Sequence, residues 1–154
     1  MIHAWRIIKA KHKNKAFSGE GSLYASGRWH NQMVPMVYCS DSLALAALET
    51  FVHIGENGKQ IKFVSFEIHI PPSLILDVEN IDTLPKRWRK EPPGAITKKI
   101  GSQWIQSSTS VVLSVPSCII PTERNYLLNP HHPDFDKVLK KEPVHISFDA
   151  RMWK

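Results

Sequence analysis

The chain has no apolar run long enough to cross a bilayer. Its longest, Leu43 to Leu48, stops far short of the roughly 20 residues that a spanning helix requires. Met1 to Phe17 is basic and carries no apolar h-region, so no secretory signal is expected. Cysteine is scarce as well. Cys39 and Cys118 are the only two and have no CxxC spacing, which argues against a disulfide framework and for reduced thiols. These absences lead to an expectation of a cytoplasmic protein without membrane contact. No two of the eight histidines stand four apart on a helix, and the side chains of the adjacent His131 and His132 diverge, so metal catalysis is not expected. Gly19-Glu20-Gly21 lacks the third glycine and the following helix of a dinucleotide fingerprint, and there is no Walker loop. Ser117 sits in Val-Pro-Ser-Cys, outside any GxSxG elbow. Internal repeats, low-complexity tracts and linkers are missing too.

What is present fits one domain over residues 1–154, long enough to bury about two-thirds of its unfolded surface unaided. The formal charge is +6. It is spread over Lys9 to Lys15, Lys86 to Lys90 and Lys137 to Lys141 rather than gathered on one nucleic-acid-reading element, so no direct nucleic-acid partner is expected. Each run is most simply solvated surface, although the positive field also suits a phosphorylated small molecule or an acidic protein. Strands are predicted at His3 to Ile7, Val34 to Cys39, Phe63 to Ile70, Leu74 to Val78, Ser110 to Val115 and Val144 to Phe148. Helices are predicted from Leu43 to Val52 and from Ile96 to Gln106, the second with Ile96, Ile100 and Trp104 on one stripe. Strands and helices do not alternate regularly, which favours an α+β fold with antiparallel sheets and flanking helices.

The first helix carries the most informative residue. Ser40-Asp41-Ser42 offers N-cap oxygens, and Leu43, Ala44, Leu45, Ala46, Ala47, Leu48, Phe51 and Val52 make the helix apolar nearly all round, as in a core. Glu49 lies among them with no Lys or Arg at helical spacing, and His53 is its one polar neighbour a turn on. A carboxylate placed so must be satisfied from elsewhere in the fold or by a ligand, and such carboxylates are over-represented in active sites. The plainer alternative is a helix-rim position that reaches water.

Several ordered segments together resemble the RES-domain family over essentially the whole chain. They are Trp5-Arg6, Gly27-Arg28-Trp29-His30, Pro35-Met36-Val37-Tyr38, the Leu43 to Glu49 helix with His53, Gly101-Ser102-Gln103-Trp104, Val115-Pro116-Ser117, the run from Glu123 to Phe135, and Phe148-Asp149-Ala150-Arg151. The Arg, Glu and Ser for which the family is named fall on Arg28, Glu49 and Ser117. The resemblance implies an ADP-ribosyltransferase-like fold, an NAD+-consuming toxin, and a cognate antitoxin of the Xre-like helix-turn-helix type. One departure is Met33, where a glycine usually precedes the Pro-x-Val-Tyr strand, and it leaves the Gln32 to Pro35 turn in question.

The residue types suit that chemistry. Cleaving the nicotinamide–ribose bond releases a neutral group from a cationic one and builds positive charge on the ribose, as in glycoside hydrolysis. A fixed carboxylate facing that charge is the main requirement, and Glu49 meets it. Arg28 and Arg6 offer planar forks for pyrophosphate or ribose oxygens. A surface ion pair or stacking on Trp29 is the rival role for Arg28, and a structural ion pair the rival for Arg6. Tyr38 has a face to stack on nicotinamide, or is ordinary core. Ser117 is expected to donate a hydrogen bond that orients the ribose, its rival role being a turn serine after Pro116. His53 is expected either to orient the Glu49 carboxylate or touch substrate, or to be a dipole partner at the helix end. Asn129 to Pro133 is expected to shape the site as a rigid turn. Water, phosphate and a protein side chain all remain open as ADP-ribose acceptors. Two other classes are an RNA-binding or RNA-cleaving basic toxin, and a silent binding module in which Arg28 and Glu49 pair with each other.

Overall fold

The computed structural model describes residues 1–154. Its longest strands, β1 (Ile2–Lys9) and β3 (Phe63–Ile70), pair antiparallel over their full length, from Ile2 opposite Ile70 to Lys9 opposite Phe63. Successive side chains of a strand point to opposite faces. Ala4, Val64, Phe66 and Ile68 therefore share one face and join the larger core cluster, while Ile7 and Phe63 share the other. Helix α1 (Leu43–Phe51) covers that second face by seating Ala46 against Ile7 and Phe63.

The remaining strands are β2 (Val37–Ser40), β4 (Ile75–Asp77), β5 (Val112–Pro116), β6 (Arg124–Leu128), β7 (Leu139–Lys140) and β8 (Val144–Ile146). They complete one sheet in the order β4-β5-β6-β2-β1-β3-β7, with β8 also on β3. All neighbours are antiparallel except β4 and β5. The parallel pair is joined through α2 (Ala95–Ser107), as a parallel connection requires a crossover. The fold is α+β. Pairing between β1 and β2 is confined to Trp5 opposite Ser40, so the sheet opens beside that contact.

Two helical expectations need correction. α1 buries only Leu45 and Ala46 and leaves Leu43, Leu48 and Val52 exposed, because the sheet covers one side of it and nothing packs on the other. On α2, Ile100 and Trp104 are buried with Leu113, Val115 and Leu127, but Ile96 points outward and Thr97 and Gly101 take the inner line. Gly101 has a specific reason to be glycine. A Cβ there would lie 1.7 Å from the Trp29 carbonyl oxygen, so the helix and the 27–31 loop meet at backbone distance. Ser102 Oγ accepts from the Asn31 amide at 3.0 Å beside it. The two motifs, Gly101-Ser102 and Gly27-Arg28-Trp29-His30, are the two halves of one docking joint.

Strand β2 begins at Val37, later than the predicted Val34, because a turn precedes it. Val34 N donates to Asn31 O at 3.2 Å, and Met33 has φ of 77°. That is the third position of a turn where type II geometry favours glycine. The departure seen in sequence therefore leaves the turn in the left-handed conformation, now carried by a methionine.

Candidate active site

A cleft of about 550 Å³ opens where β1 and β2 separate, lined among others by Arg6, Arg28, Tyr38, Glu49, His53 and Asn125. A second cavity of about 620 Å³ adjoins it, and Arg6, Ser26 and Tyr38 border both. Five of the six residues singled out in the sequence thus line one cleft, and Ser117 lies directly behind it.

Glu49 is presented by α1, whose N-terminus is capped by Ser42 Oγ accepting from Leu45 N at 3.0 Å. One oxygen, Oε1, accepts from Ser117 Oγ at 2.7 Å and from Asn125 Nδ2 at 2.7 Å. Asn125 is itself oriented by Ser40, whose hydroxyl donates to its Oδ1 at 2.7 Å. Oε2 accepts no hydrogen bond from the protein, which leaves one carboxylate oxygen held and the other available to a ligand.

Ser117 is fully buried. Its oxygen accepts from the amides of Ile119 and Ile120, at 3.1 Å each, and its single hydroxyl hydrogen goes to Glu49. A serine has one hydrogen to give, so none is left for a ribose. The expected ribose contact is replaced by a positioning contact on the carboxylate. The rival role as a turn serine is present at the same time.

Arg28 is held by the segment that roofs the cleft. It donates from Nη1 to the carbonyls of Trp88 at 2.8 Å and Lys90 at 2.9 Å, and from Nη2 to Glu91 at 2.8 Å. Its side chain is only 9% exposed, whereas Glu91 is 73% exposed. The structure therefore does not pair Arg28 with Glu49, and the pairing expected of a silent binding module is absent. Arg89 ties the same roof to the Ser117 loop by donating from Nε to Cys118 O at 2.9 Å.

Arg6 bridges the split in the sheet, donating from Nε to Ala16 O at 2.7 Å and from Nη1 to Tyr38 O at 2.9 Å. Burial lowers its pKa from the ordinary arginine value, and no carboxylate lies within ion-pair distance to offset that. The structural ion pair weighed for Arg6 is therefore not made. The guanidinium leaves an uncompensated positive charge in the wall shared by both cavities. Beside it, burial pushes the Cys39 thiol up to about 12, so this cysteine stays a neutral thiol. Both cysteines are free.

Tyr38 closes the wall through a hydrogen-bond chain. His30 Nε2 lies 2.8 Å from Ala25 O, which can only accept, so Nε2 carries the ring hydrogen. His30 Nδ1 then accepts from the Tyr38 hydroxyl at 2.6 Å, and that oxygen accepts from Trp29 N at 3.3 Å. Burial lowers the His30 pKa and raises that of Tyr38, which keeps both rings neutral. A Cβ on Gly27 would stand 2.7 Å from His30 Cε1 and 2.9 Å from Tyr38 Oη. This accounts for the glycine at that position. His53 follows α1, is exposed at the rim of the cleft, and makes no side-chain hydrogen bond.

The residues missed in the sequence are Asn125, Ser40, His30 and Glu91. Asn125 and His30 stand inside the family-like segments, but each acts across the fold rather than along the chain. Beyond that resemblance, the sequence marks Asn125 only as a polar residue leading a short apolar stretch.

The RES domain family matches residues 3–149. The protein "Toxin Res" of Photorhabdus laumondii subsp. laumondii is 39% identical over 151 residues, covering 97% of this chain and 96% of that protein. The "Prs ADP-ribosylating toxin" of Sphingobium sp. (strain YBL2) is 37% identical over 152 residues, covering 96% and 94%. Among solved structures, the crystal structure of the M. tuberculosis MbcT–MbcA toxin–antitoxin complex contains a chain with the same fold. It superposes with a TM-score of 0.71 at 13% identity, over 98% of this chain and 86% of that one. With the family match spanning nearly every residue and relatives this similar along their full length, the chain belongs to the RES domain family.

Proposed function

We propose that this chain is the toxin of a bacterial toxin–antitoxin pair, acts in the cytoplasm as a single RES domain, and cleaves the nicotinamide–ribose bond of NAD+. The observation that carries the proposal is the Glu49 carboxylate, held on Oε1 by Ser117 and Asn125 with Oε2 left for a ligand at the cleft. A carboxylate fixed before substrate arrives needs no reorganisation as oxocarbenium charge develops on the ribose. The leaving nicotinamide is neutral, so no acid need protonate it. Arg6, with its charge uncompensated, and Arg28 supply the positive wall for the pyrophosphate. Tyr38, held upright by His30, presents a ring face to the nicotinamide.

A second reading is transfer of ADP-ribose to a cellular protein, favoured by one relative's name as an ADP-ribosylating toxin. The first step is common to both, and they differ only in the nucleophile that meets the ribose carbon. The partner is proposed to be an Xre-like helix-turn-helix antitoxin that occludes the cleft. The exposed Leu43 and Leu48 of α1, with Val52 just after it at the cleft edge, supply apolar surface for it to cover.

Purified protein incubated with NAD+ tests the proposal. Free nicotinamide should appear together with ADP-ribose, or with a phosphorylated ADP-ribose when phosphate is added. No nicotinamide release would refute NAD+ cleavage. Labelled ADP-ribose accumulating on one protein band in a cell extract, with little free product, would replace depletion by protein modification.

A further inference from the structure

Away from the Glu49 chemistry, the register of β1 on β3 assembles a second group of side chains. His3 is opposite His69, and Trp5 is opposite Glu67, so His3, Glu67 and His69 lie on the same face of the same strand pair. The two imidazoles stack with centroids 4.2 Å apart, and Glu67 Oε2 is 2.6 Å from His69 Nε2. One nitrogen of each histidine and one carboxylate oxygen all lie within 4.8 Å of one another. His3 is exposed and the other two are half-buried, so the group is open to solvent.

We propose that His3, Glu67 and His69 form a binding site for a first-row divalent cation, with zinc the ion it suits best. Two imidazoles and a carboxylate with one position left to water is a donor set that zinc accepts in tetrahedral geometry. Ligands at about 2.0–2.1 Å from the metal stand about 3.3 Å apart, so donors now up to 4.8 Å apart must close, while Glu67 Oε2 and His69 Nε2, 2.6 Å apart, must part slightly to admit the ion. Side-chain rotation at a solvent-exposed strand pair provides that. The hydrogen that His69 directs from Nε2 to Glu67 moves to Nδ1, which leaves the Nε2 lone pair for the metal and changes no net charge. The His pairs sought along helices could not reveal this arrangement, because its three residues meet only through strand pairing.

Lys141 is the competitor. Its ammonium lies 3.1 Å from Glu67 Oε2 and must swing away when a cation enters. Its side chain is 61% exposed, so it can do so into water. The site also borders the cleft through Trp5, which lines the cleft and whose ring centroid is 6.2 Å from that of His3. A bound metal would clip the first residues of β1 to the last of β3.

Titration of the purified chain with zinc chloride by calorimetry, with nickel chloride in parallel, tests the proposal. The wild type should take up one ion per chain and gain thermal stability. His3→Gln and His69→Gln should each weaken zinc binding at least tenfold while keeping the wild-type circular dichroism spectrum. Lys141→Gln should tighten it severalfold by removing the competing cation. Failure of the wild type to bind stoichiometrically, or equal zinc affinity in wild type and His3→Gln, would overturn the site. Because the readout is metal uptake rather than NAD+ turnover, the result is independent of the proposed activity.

Discussion

Ser117 gives its only hydroxyl hydrogen to Glu49, at 2.7 Å, from a position with no solvent exposure. The relation between them is one of support. Glu49 reaches the cleft from α1, and Ser117, rooted by two backbone amides, fixes which of the two carboxylate oxygens is engaged. In Glu49→Gln the amide oxygen can still accept from Ser117 and Asn125, so the protein should fold. NAD+ cleavage should fall at least about 100-fold because the negative charge is gone. Nicotinamide release measured beside a thermal melt checks both halves; a folded variant with near-normal turnover would remove Glu49 from catalysis.

Asn125 is the second partner that holds the Glu49 carboxylate. Its Nδ2 donates to the same oxygen that Ser117 holds. Asn125→Asp keeps the shape and the Ser40 contact but places a second carboxyl group against Glu49. Like charges at hydrogen-bond distance cannot both ionise easily, so the pair retains a proton to higher pH. The acid limb of the pH–rate profile should therefore move to higher pH relative to wild type. A superimposable profile would mean that a carboxyl group at position 125 does not couple to Glu49.

Arg28 ties the 27–31 loop to the roof of the cleft. One guanidinium spans two carbonyls and a carboxylate across the 88–91 segment, which a single ammonium cannot do. Arg28→Lys should therefore lower kcat/KM for NAD+ by roughly tenfold or more, the worth of a charge-assisted hydrogen bond. Limited proteolysis should cut the 85–94 segment faster in the variant. Kinetics and cleavage both equal to wild type would show that Arg28 neither recognises NAD+ nor braces the 88–91 segment.

The parts of this fold that were legible in sequence are those with a strong local period. β3 was predicted with its observed bounds, and α1 and α2 within a residue or so at each end. β6 was missed because it opens with Arg124-Asn125, polar residues uncommon in strands, and its apolar half is too short to stand out. That omission concealed Asn125. The burial of α1 was overestimated because an apolar composition does not say how many sides a neighbour will cover. For the candidate site, resemblance pointed to Glu49, Arg28 and Ser117, which the fold gathers at and behind one cleft, but not to the contacts each makes. Whether Ser117 faces a ribose or a carboxylate depends on contacts between residues 68 positions apart, and only the fold supplies those.

Met33 gives a prediction about stability alone. It holds φ of 77° at the turn position that favours glycine, and the residue is 69% exposed and contributes little packing. A left-handed conformation costs an L-residue roughly 1–2 kcal/mol. Glycine removes that cost but gives back about 0.5–1 kcal/mol through its greater freedom in the unfolded chain. Met33→Gly should therefore stabilise the protein by about 0.5–1 kcal/mol, which for a chain of this size raises Tm by a few degrees. Met33→Val should do the reverse, since a β-branched residue tolerates positive φ least. Activity should not change in either, as Met33 does not line the cleft. Thermal and urea unfolding of the three proteins decide the matter: a glycine variant no more stable than wild type would show that the methionine is not strained in this turn.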